Sequence, residues 1–407
     1  MATKISALPQ VVLGNLTDTT FFELVDALGA SVKVPINYLR GQINIGAFIF
    51  NVMDPKFGAD NTGVRNSTAA FSAAFAALSA AGGGIVYAPK GTYLLSFVND
   101  NANAIAVGNG WLVGQGQDTV FLADPATCTS SVMGAAPASC TMFTYDSSAR
   151  FSNFMLDGNR HNLVLGGFTS LQATAITPVR LTGVSGHIFE DLWIARIPAA
   201  GGMESFGIMN GQATSSYKIR RIKAWDCDGT PIHVNGEIDT NLANPLNDGT
   251  TMTSNVDVDE IETYNNTWQG ISIYGAKNVR LRGVHAYSNT FHGINVEFSQ
   301  EIDIFEPVCH DNGYTGIDAK GPSRVDIWGG SVCNNNTGNS TNLAEILAGA
   351  GTWPNGAPQP QGTVIRLGIH GTRVQPKGAN YHLRYETNTN ANCKYLDTDG
   401  VTVVTAA

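Results

Sequence analysis

Charged side chains are scarce in this chain, and no more than two basic residues, Arg220 and Arg221, are consecutive anywhere in it. Charged residues make up 14% of the 407 residues, with 24 basic against 33 acidic and a net charge of −9. A protein that binds phosphates needs a basic surface, so nucleic acid is not expected as a partner. The low charge and the 45 glycines are typical of a turn-rich β-protein instead.

Long apolar runs are also missing. The first residues, MATKISALPQVVLGNLTD, lack the apolar core of a secretory signal, and no segment approaches the roughly 18 apolar residues of a membrane helix. We therefore expect neither a signal peptide nor insertion into a membrane.

Six cysteines are present, but none forms a C-x-x-C pair. No zinc site, other metal site or cofactor is therefore expected. Cys309 and Cys333 fall in neighbouring repeats and are interpreted as small buried apolar side chains. Cys128 and Cys140 flank a Ser/Ala/Pro-rich insertion, which leaves a disulfide open, although the absent signal sequence favours free thiols.

The chain does contain a repeat of 23 residues. Three consecutive copies align without gaps: VDVDEIETYNNTWQGISIYGAKN from Val256, VRLRGVHAYSNTFHGINVEFSQE from Val279 (279 − 256 = 23) and IDIFEPVCHDNGYTGIDAKGPSR from Ile302. Val325 opens a fourth copy. Apolar residues alternate within each copy, which is the period of a strand rather than a helix. The repeat predicts an all-β solenoid, a parallel β-helix, in which equivalent residues of successive coils lie about 4.8 Å apart.

The pattern divides the chain into three regions. Residues 1–45 lack the repeat and predict a small N-terminal module. Residues 46–340 predict the β-helix, and residues 341–407 predict additional strands and loops. Within the second region an Ala-rich stretch, residues 67–80, predicts an α-helix that caps the open end of the solenoid. Ser67 or Thr68 is expected to begin this helix and Gly82–Gly84 to end it.

The start of the second region resembles a known motif. Its residues are Phe57-Gly58-Ala59, Gly63, Asn66-Ser67-Thr68, Ala70, Gly82 to Gly84, Val86-Tyr87, Pro89 and Gly91-Thr92-Tyr93. This order resembles the N-terminal motif of the pectate-lyase-like superfamily of right-handed β-helices, in the form found in bacteriophage tailspikes and related depolymerases. The segments LVGQG from Leu112 and FSNFMLDGN from Phe151 also resemble early coils of that family. Family members usually carry acids where this chain has Asn61, Asn66 and Ser67.

The resemblance implies a right-handed β-helix and an enzyme, a polysaccharide depolymerase of the tailspike type. The implied substrate is a bacterial surface polysaccharide: a capsule, an exopolysaccharide or an O-antigen. The resemblance further implies a homotrimer, stabilised by the C-terminal region. It implies an N-terminal module that attaches to a phage tail or baseplate, so that the protein resides in the virion and acts outside the host cell.

Stacked coils turn the repeat into columns of equivalent residues. One column, Asn266, Asn289, Asn312 and Asn335, predicts an asparagine ladder at a turn. A second column consists of Trp268, Phe291 and Tyr314. Stacked rings stabilise a solenoid, but sugars also pack on aromatic faces, and the sequence leaves both roles open.

Two further columns follow the glycine of each repeat. If Ile271, Ile294 and Ile317 point inward, the residues after them point outward. The first outward column is His233, Ser272, Asn295 and Asp318, and the second is Asn235, Tyr274, Glu297 and Lys320. In the superfamily this strand lines the substrate groove. That implies substrate-binding roles for His233, Tyr274, Asn295, Lys320, Trp268 and His292.

Glu297 and Asp318 form a diagonal carboxylate pair in these columns. Their separation, 318 − 297 = 21, is one coil forward and two residues back, which places the Cα atoms about 8 Å apart. Glycoside hydrolysis needs two carboxyl groups roughly 5–9.5 Å apart, one as acid and one as base or nucleophile. We therefore predict Glu297 and Asp318 as the catalytic residues of a glycoside hydrolase.

Three alternatives remain open at this point. Glu297 can simply pair with Lys320, as a surface ion pair of little energetic weight. A polysaccharide lyase would instead use His233, Lys320 or an arginine as the base that removes the C5 proton of a uronate, with a cation or an arginine to neutralise the uronate carboxylate. A receptor-binding protein would hold the glycan through the aromatic column and the polar groove without cutting it.

Overall fold

The structure is a computed structural model that describes residues 21–25, 31–35, 48–96, 103–107, 110–127, 138–145, 148–165, 174–181, 185–198, 206–210, 215–236, 252–320, 324–338, 344–349, 366–375, 381–385 and 394–396. Within these residues the chain is built mainly of short parallel strands.

The strands up to the first uninterrupted repeats are, in chain order, β1 (Phe21–Val25), β2 (Ser31–Pro35), β3 (Phe48–Asn51), β4 (Thr62–Asn66), β5 (Gly84–Tyr87), β6 (Gly91–Leu95), β7 (Asn103–Val107), β8 (Trp111–Val113), β9 (Thr119–Ala123), β10 (Ala138–Tyr145), β11 (Arg150–Asp157), β12 (Thr174–Leu181), β13 (Ile188–Ala195), β14 (Phe206–Asn210) and β15 (Ser215–Trp225). The strands after them are β16 (Thr230–Asn235), β17 (Thr253–Tyr264), β18 (Ile271–Tyr274), β19 (Ala276–Tyr287), β20 (Ile294–Glu297), β21 (Gln300–Phe305), β22 (Val308–His310), β23 (Ile317–Lys320), β24 (Arg324–Trp328), β25 (Ser331–Cys333), β26 (Ala344–Gly349), β27 (Arg366–His370), β28 (Arg373–Gln375), β29 (Tyr381–Tyr385) and β30 (Lys394–Leu396). The helices are α1 (Thr68–Ala80) and α2 (Arg160–Leu165).

Strand pairing follows the sequence repeat. Val256 pairs with Val279, and the same column continues through Ile302 to Val325, so the predicted 23-residue register is confirmed. One parallel sheet runs in the order β29-β26-β23-β20-β18-β16-β14-β12-β10-β7, and most of the remaining strands form the other faces of the coils. The predicted right-handed parallel β-helix is the fold of this chain.

Alternate residues of each strand fill the interior of the coils. Ile271, Ile294 and Ile317 are fully buried and belong to one continuous apolar core, as predicted. Burying each such side chain contributes about 1.5–3 kcal/mol. Cys309 lies in that core, whereas Cys333 is half-buried, and both are free thiols. Cys128 lies outside the described residues, and with it the disulfide that the sequence left open.

The predicted asparagine ladder is present at one corner of the coils. The Asn266 side-chain amide donates to Asn289 at 2.8 Å, and the donation continues to Asn312 at 3.0 Å and to Asn335 at 2.8 Å. The ladder ends on the buried carboxylate of Glu345, 2.6 Å from Asn335 Nδ2, a partner that the repeat does not predict. The residues just before the ladder adopt left-handed backbone angles, with φ of 53–57°: Asp226, Asn265, Ser288, Asp311 and Asn334.

The helix α1 occupies the predicted place. Phe71, Phe75 and Leu78 are buried, and the helix packs against β5 and β7. Ser67 is the N-cap residue, but its hydroxyl exchanges hydrogen bonds with the Asp60 backbone instead of capping a helix N–H. Gly82–Gly84, with positive φ, follow the end of the helix as expected.

The two ends of the chain differ in their pairing. At the start, β1 and β2 form an antiparallel hairpin inside the predicted N-terminal module. At the other end, β26 pairs with β23, β27 with β24 and β28 with β25, all parallel. The coils therefore extend past residue 340, where the sequence analysis ended the β-helix. The sequence repeat stops after Asn339, but the strands that follow still pair in parallel with the preceding coil. Across the described part of the chain, neither helix is long and apolar enough to span a membrane.

Candidate active site in the groove of the central coils

Four short strands, β16, β18, β20 and β23, carry the predicted groove columns. His233 pairs with Ser272, Ser272 with Asn295, and Asn295 with Asp318. The neighbouring column runs in the same register through Asn235, Tyr274, Glu297 and Lys320. Because the intervening residues point into the core, both columns lie on the opposite face of these strands. The sequence thus predicted both columns correctly.

The two columns differ in depth, which the sequence did not predict. Ser272, Asn295 and Asp318 are buried, and the Asp318 side chain is 0% exposed. Tyr274, Glu297 and Lys320 are half-buried and form the accessible surface of the groove. The first column thus points away from the core as predicted, but it is not exposed; at Asp318, Lys320 and His292 lie over the carboxylate.

Asp318 is the centre of a buried polar network. Its Oδ2 lies 2.8 Å from Lys320 Nζ and 3.1 Å from His292 Nε2. On the other side of the imidazole, Thr315 Oγ1 lies 2.6 Å from Nδ1. Burial raises the pKa of the Asp318 carboxyl, and the Lys320 ammonium opposes that shift. His292, predicted to bind substrate from the surface, is itself buried and contacts this carboxylate.

Glu297 is the accessible carboxyl of the groove. Burial raises its pKa, and the nearby Asp318 charge adds to the rise, while Lys320 and a hydrogen bond from Asn295 oppose it. Glu297 pairs in register with Lys320, one coil further along the axis. Lys320 is thus close to both predicted catalytic acids, and this brings Glu297, Asp318 and Lys320 together in one site.

Aromatic rings support the groove on the side of the earlier coils. The rings of His233 and Tyr274 stack with centroids 6.5 Å apart, and Phe298 packs edge-on against Tyr274 at 5.5 Å. Burial lowers the pKa of His233 to about 4, so its imidazole is neutral at neutral pH. Phe298 has a left-handed φ of 50° at the corner where the previous coil has Gly275, with φ of 60°.

Phe298 and Thr315 were missed by the sequence analysis. Phe298 could have been found from its place in the repeat. It lies 23 residues after Gly275 (298 − 275 = 23), so a bulky side chain stands where the preceding copy has glycine. Thr315 follows His292 by the same interval, 315 − 292 = 23, in the column just before the repeat glycines.

The aromatic column borders the groove and faces outward. Trp268 and Phe291 approach to 4.1 Å between ring centroids, and Phe291 stacks on Tyr314 at 4.6 Å. Tyr314 is 39% exposed, and Trp268 and Phe291 are half-buried. His292 meets the Tyr314 ring edge-on at 5.8 Å, which joins this column to the network around Asp318. Ring surface is therefore available beside the acids.

The described residues also include possible metal ligands. Among the residues that the structure describes, no group of three or more His, Cys, Asp or Glu side chains is placed to hold an ion.

Comparison with known proteins supports the fold and its superfamily. Residues 49–189 match the family model described as rhamnogalacturonase A/epimerase, pectate lyase-like. Mannuronan C5-epimerase AlgE3 of Azotobacter vinelandii is 37% identical over 116 residues, which are 28% of this chain and 6% of that protein. The matched stretch thus spans less than a tenth of the length of this relative.

Two solved structures share the architecture at low sequence identity. The A-module of mannuronan C5-epimerase AlgE4 from Azotobacter vinelandii superimposes with a TM-score of 0.60 and 17% identity, covering 86% of this chain and 94% of the module. The ORF18 protein of Geobacillus virus E2 gives a TM-score of 0.52 at 11% identity, covering 93% of this chain and 68% of that one. The matches confirm the predicted resemblance to the pectate-lyase-like superfamily of right-handed β-helices.

Proposed function

We propose that the chain binds a bacterial surface polysaccharide along the groove and hydrolyses its glycosidic bonds, with Glu297 as the proton donor. The observation that carries this proposal is the half-buried Glu297 carboxyl, whose pKa is raised by burial and by Asp318, beside the Lys320 ammonium. A carboxyl with a raised pKa keeps its proton to a higher pH than an ordinary glutamate does, and this favours a role as general acid.

The second carboxyl of the mechanism is Asp318. Its Oδ1 is buried and accepts no hydrogen bond from the described residues, a costly arrangement for a purely structural acid. We assign Lys320 a double role: it balances the Asp318 charge in the free protein and turns toward the glycan when sugar enters. The Thr315–His292 pair keeps Asp318 in place during that movement.

The proposed reaction is the hydrolysis of one glycosidic bond by one water molecule. Glu297 gives its proton to the glycosidic oxygen as the bond from that oxygen to the anomeric carbon breaks. Asp318 supplies the opposing base or nucleophile, so that one water is consumed for each bond cut. The anomeric form of the first product, read by NMR, distinguishes direct attack by Asp318 from activation of a water molecule.

The aromatic column supplies the binding surface in this proposal. Sugar rings present apolar C–H faces that pack on aromatic rings, and Tyr314 offers an exposed ring beside the acids. In this proposal Tyr274 orients the sugar next to Glu297, and the buried Asn295 orients the Glu297 carboxyl through its hydrogen bond. Phe291 and Trp268 extend this surface over the two preceding coils.

The test is digestion of candidate capsules and lipopolysaccharides, followed by mass analysis of the fragments. Glu297→Gln and Asp318→Asn are each expected to lower the cleavage rate about 10²–10⁴-fold. Glu301→Gln, an exposed acid four residues from Glu297, is the matched control and is expected to keep full activity. Full activity in both groove variants, with unchanged circular dichroism, would eliminate the assignment.

A second candidate reaction is β-elimination on a uronate-containing glycan. It is favoured by the neutral His233, which can accept a proton, and by the Lys320 ammonium, which can neutralise a sugar carboxylate. Removal of the same proton followed by protonation of C5 from the opposite face of the sugar would be epimerisation, the activity named for the AlgE relatives. Ultraviolet absorbance of an unsaturated uronate identifies elimination. Unchanged chain length with altered sugar stereochemistry, seen by proton NMR, identifies epimerisation.

The biological setting proposed is a phage tailspike. In this proposal residues 1–45 attach the chain to a tail or baseplate, and three chains assemble side by side in the virion. A receptor-binding protein that holds glycan without cutting it is the remaining alternative. Size analysis of the polysaccharide after incubation separates them, because a binder leaves the chain length unchanged.

A further inference from the structure

Two histidines from successive coils meet outside the groove. His285 lies in β19 and His310 ends β22, and their Nε2 atoms are 3.0 Å apart. Both rings are partly exposed, and the Tyr287 ring stacks on His310 at 5.1 Å and lies 4.7 Å from His285. The two imidazoles therefore pack against one tyrosine ring and remain accessible to small ions.

The carboxylate of Asp311 decides how His310 carries its proton. Asp311 Oδ2 lies 2.8 Å from His310 Nδ1, so this nitrogen holds the hydrogen and Nε2 presents a lone pair. His285 Nε2–H then donates to that lone pair. Histidines that ligate metals usually donate their other ring N–H to a carboxylate or a carbonyl, which is the arrangement of His310.

We propose that His285 and His310 form a two-histidine site for a divalent transition metal of the Ni²⁺ or Cu²⁺ type. Nitrogens 3.0 Å apart subtend about 95° at an ion roughly 2.0–2.1 Å from each. That angle fits neighbouring corners of a square-planar or tetragonal complex, the geometry of Ni²⁺ and Cu²⁺ with nitrogen ligands. On binding, both rings turn so that their Nε2 lone pairs converge on the ion, and the proton of His285 moves from Nε2 to Nδ1. Both imidazoles then stay neutral and both Nε2 atoms bind the ion.

The site would act as a clip between coils. No third His, Cys, Asp or Glu of the described chain completes a larger cluster, so water fills the other coordination positions. His285 and His310 belong to strands paired across two coils. An ion that binds both therefore favours the folded stack over the unfolded chain and raises the melting temperature.

The test uses the full chain without an affinity tag, titrated with NiCl₂ by calorimetry and followed by thermal melting. One Ni²⁺ per chain and a higher melting temperature are expected for the wild type, and both are lost in His285→Gln and His310→Gln. Asp311→Asn leaves both ligands in place and is expected to weaken binding about 10–100-fold.

Two controls exclude other sources of binding. Cys333 pairs in register with His310 and is a free thiol, so Cys333→Ser must retain the bound Ni²⁺. His161→Gln, which removes an exposed histidine elsewhere, must also retain it. Binding that survives both ligand variants, or a wild type that binds no Ni²⁺, would show that the pair is only a hydrogen bond. Glycan cleavage does not enter these readouts, so the proposed function stands or fails separately.

Discussion

The ionisation of Glu297 makes the stability of the fold depend on pH. Its pKa is raised in the folded protein, mainly by burial. A carboxyl with a raised pKa stabilises the fold below its unfolded pKa, and this contribution is lost as pH rises through the folded pKa. Above that folded pKa, the ionised Glu297 therefore weakens the fold.

The first prediction follows from this loss of stability when Glu297 ionises. Glu297→Gln cannot ionise, so its stability relative to wild type is expected to increase as pH rises from 4 to 8, while cleavage is lost. Urea unfolding across this pH range measures the difference, with Glu301→Gln as the exposed control. A difference that is constant with pH would contradict the raised pKa.

The pH profile of cleavage supplies a second prediction. Because the acid must carry its proton, activity is expected to fall as pH rises through the raised pKa of Glu297. This alkaline limb should lie above the ordinary range of a glutamate. Rate measurements at saturating substrate report it, and a limb at the usual carboxyl pKa would show that Glu297 is not the donor.

Residue identities in the groove were predictable, but their depth was not. Alternation placed Asn295 and Asp318 opposite the core, and the register placed them in one column. Whether a side chain on that face is exposed to solvent depends on which other side chains pack over it. Here Lys320 and His292 close over Asp318, and no periodicity in the sequence encodes that contact.

At the scale of an element, the corners between strands contain both the strained backbone of Phe298 and the asparagine ladder. Phe298 adopts a φ of 50°, which costs a residue with a Cβ roughly 1 kcal/mol more than glycine. Its ring is buried and packs on Tyr274, and that packing outweighs the strain.

The corner prediction compares two truncations. Phe298→Ala and Phe298→Gly both lose the ring, but only alanine keeps the left-handed strain. The glycine variant is therefore expected to be more stable than the alanine variant by about 1 kcal/mol, the reverse of the usual order in regular structure. Thermal melting of the two variants measures it. Equal stabilities, or a more stable alanine variant, would mean that the corner is not strained.

The ladder prediction concerns Asn312. Its side chain accepts from Asn289 and donates to Asn335 and to the Ala286 carbonyl, all in a buried position. Asn312→Ala leaves several buried groups without partners and is expected to cost about 2–5 kcal/mol. Urea denaturation measures this loss, and Thr337→Ala at an exposed position is the control. A loss below about 1 kcal/mol would argue against the ladder as a source of stability.

At the scale of the whole molecule, the tailspike resemblance predicts a homotrimer. Light scattering of the purified protein is expected to give three times the mass of one chain, unchanged on dilution. A mass equal to one chain would contradict the assembly and leave the groove chemistry untouched. Removal of residues 1–45 is expected to leave this mass ratio and the cleavage rate unchanged, because the groove lies in the central coils.

The sequence by itself determined the 23-residue register, and with it the fold, the ladder and the two columns that hold Glu297 and Asp318. A fixed period is enough for this, because parallel coils in register place equivalent residues one strand spacing apart. Only the tertiary structure decided that Asp318 and His292 are buried, that Lys320 contacts Asp318, and that Phe298 supports Tyr274. These contacts depend on how side chains of different columns pack against one another. The continuation of the coils past residue 340 depends on strands that pair beyond the point where the sequence repeat stops. A repeat fixes neighbours along the axis of the stack; it does not fix what covers them.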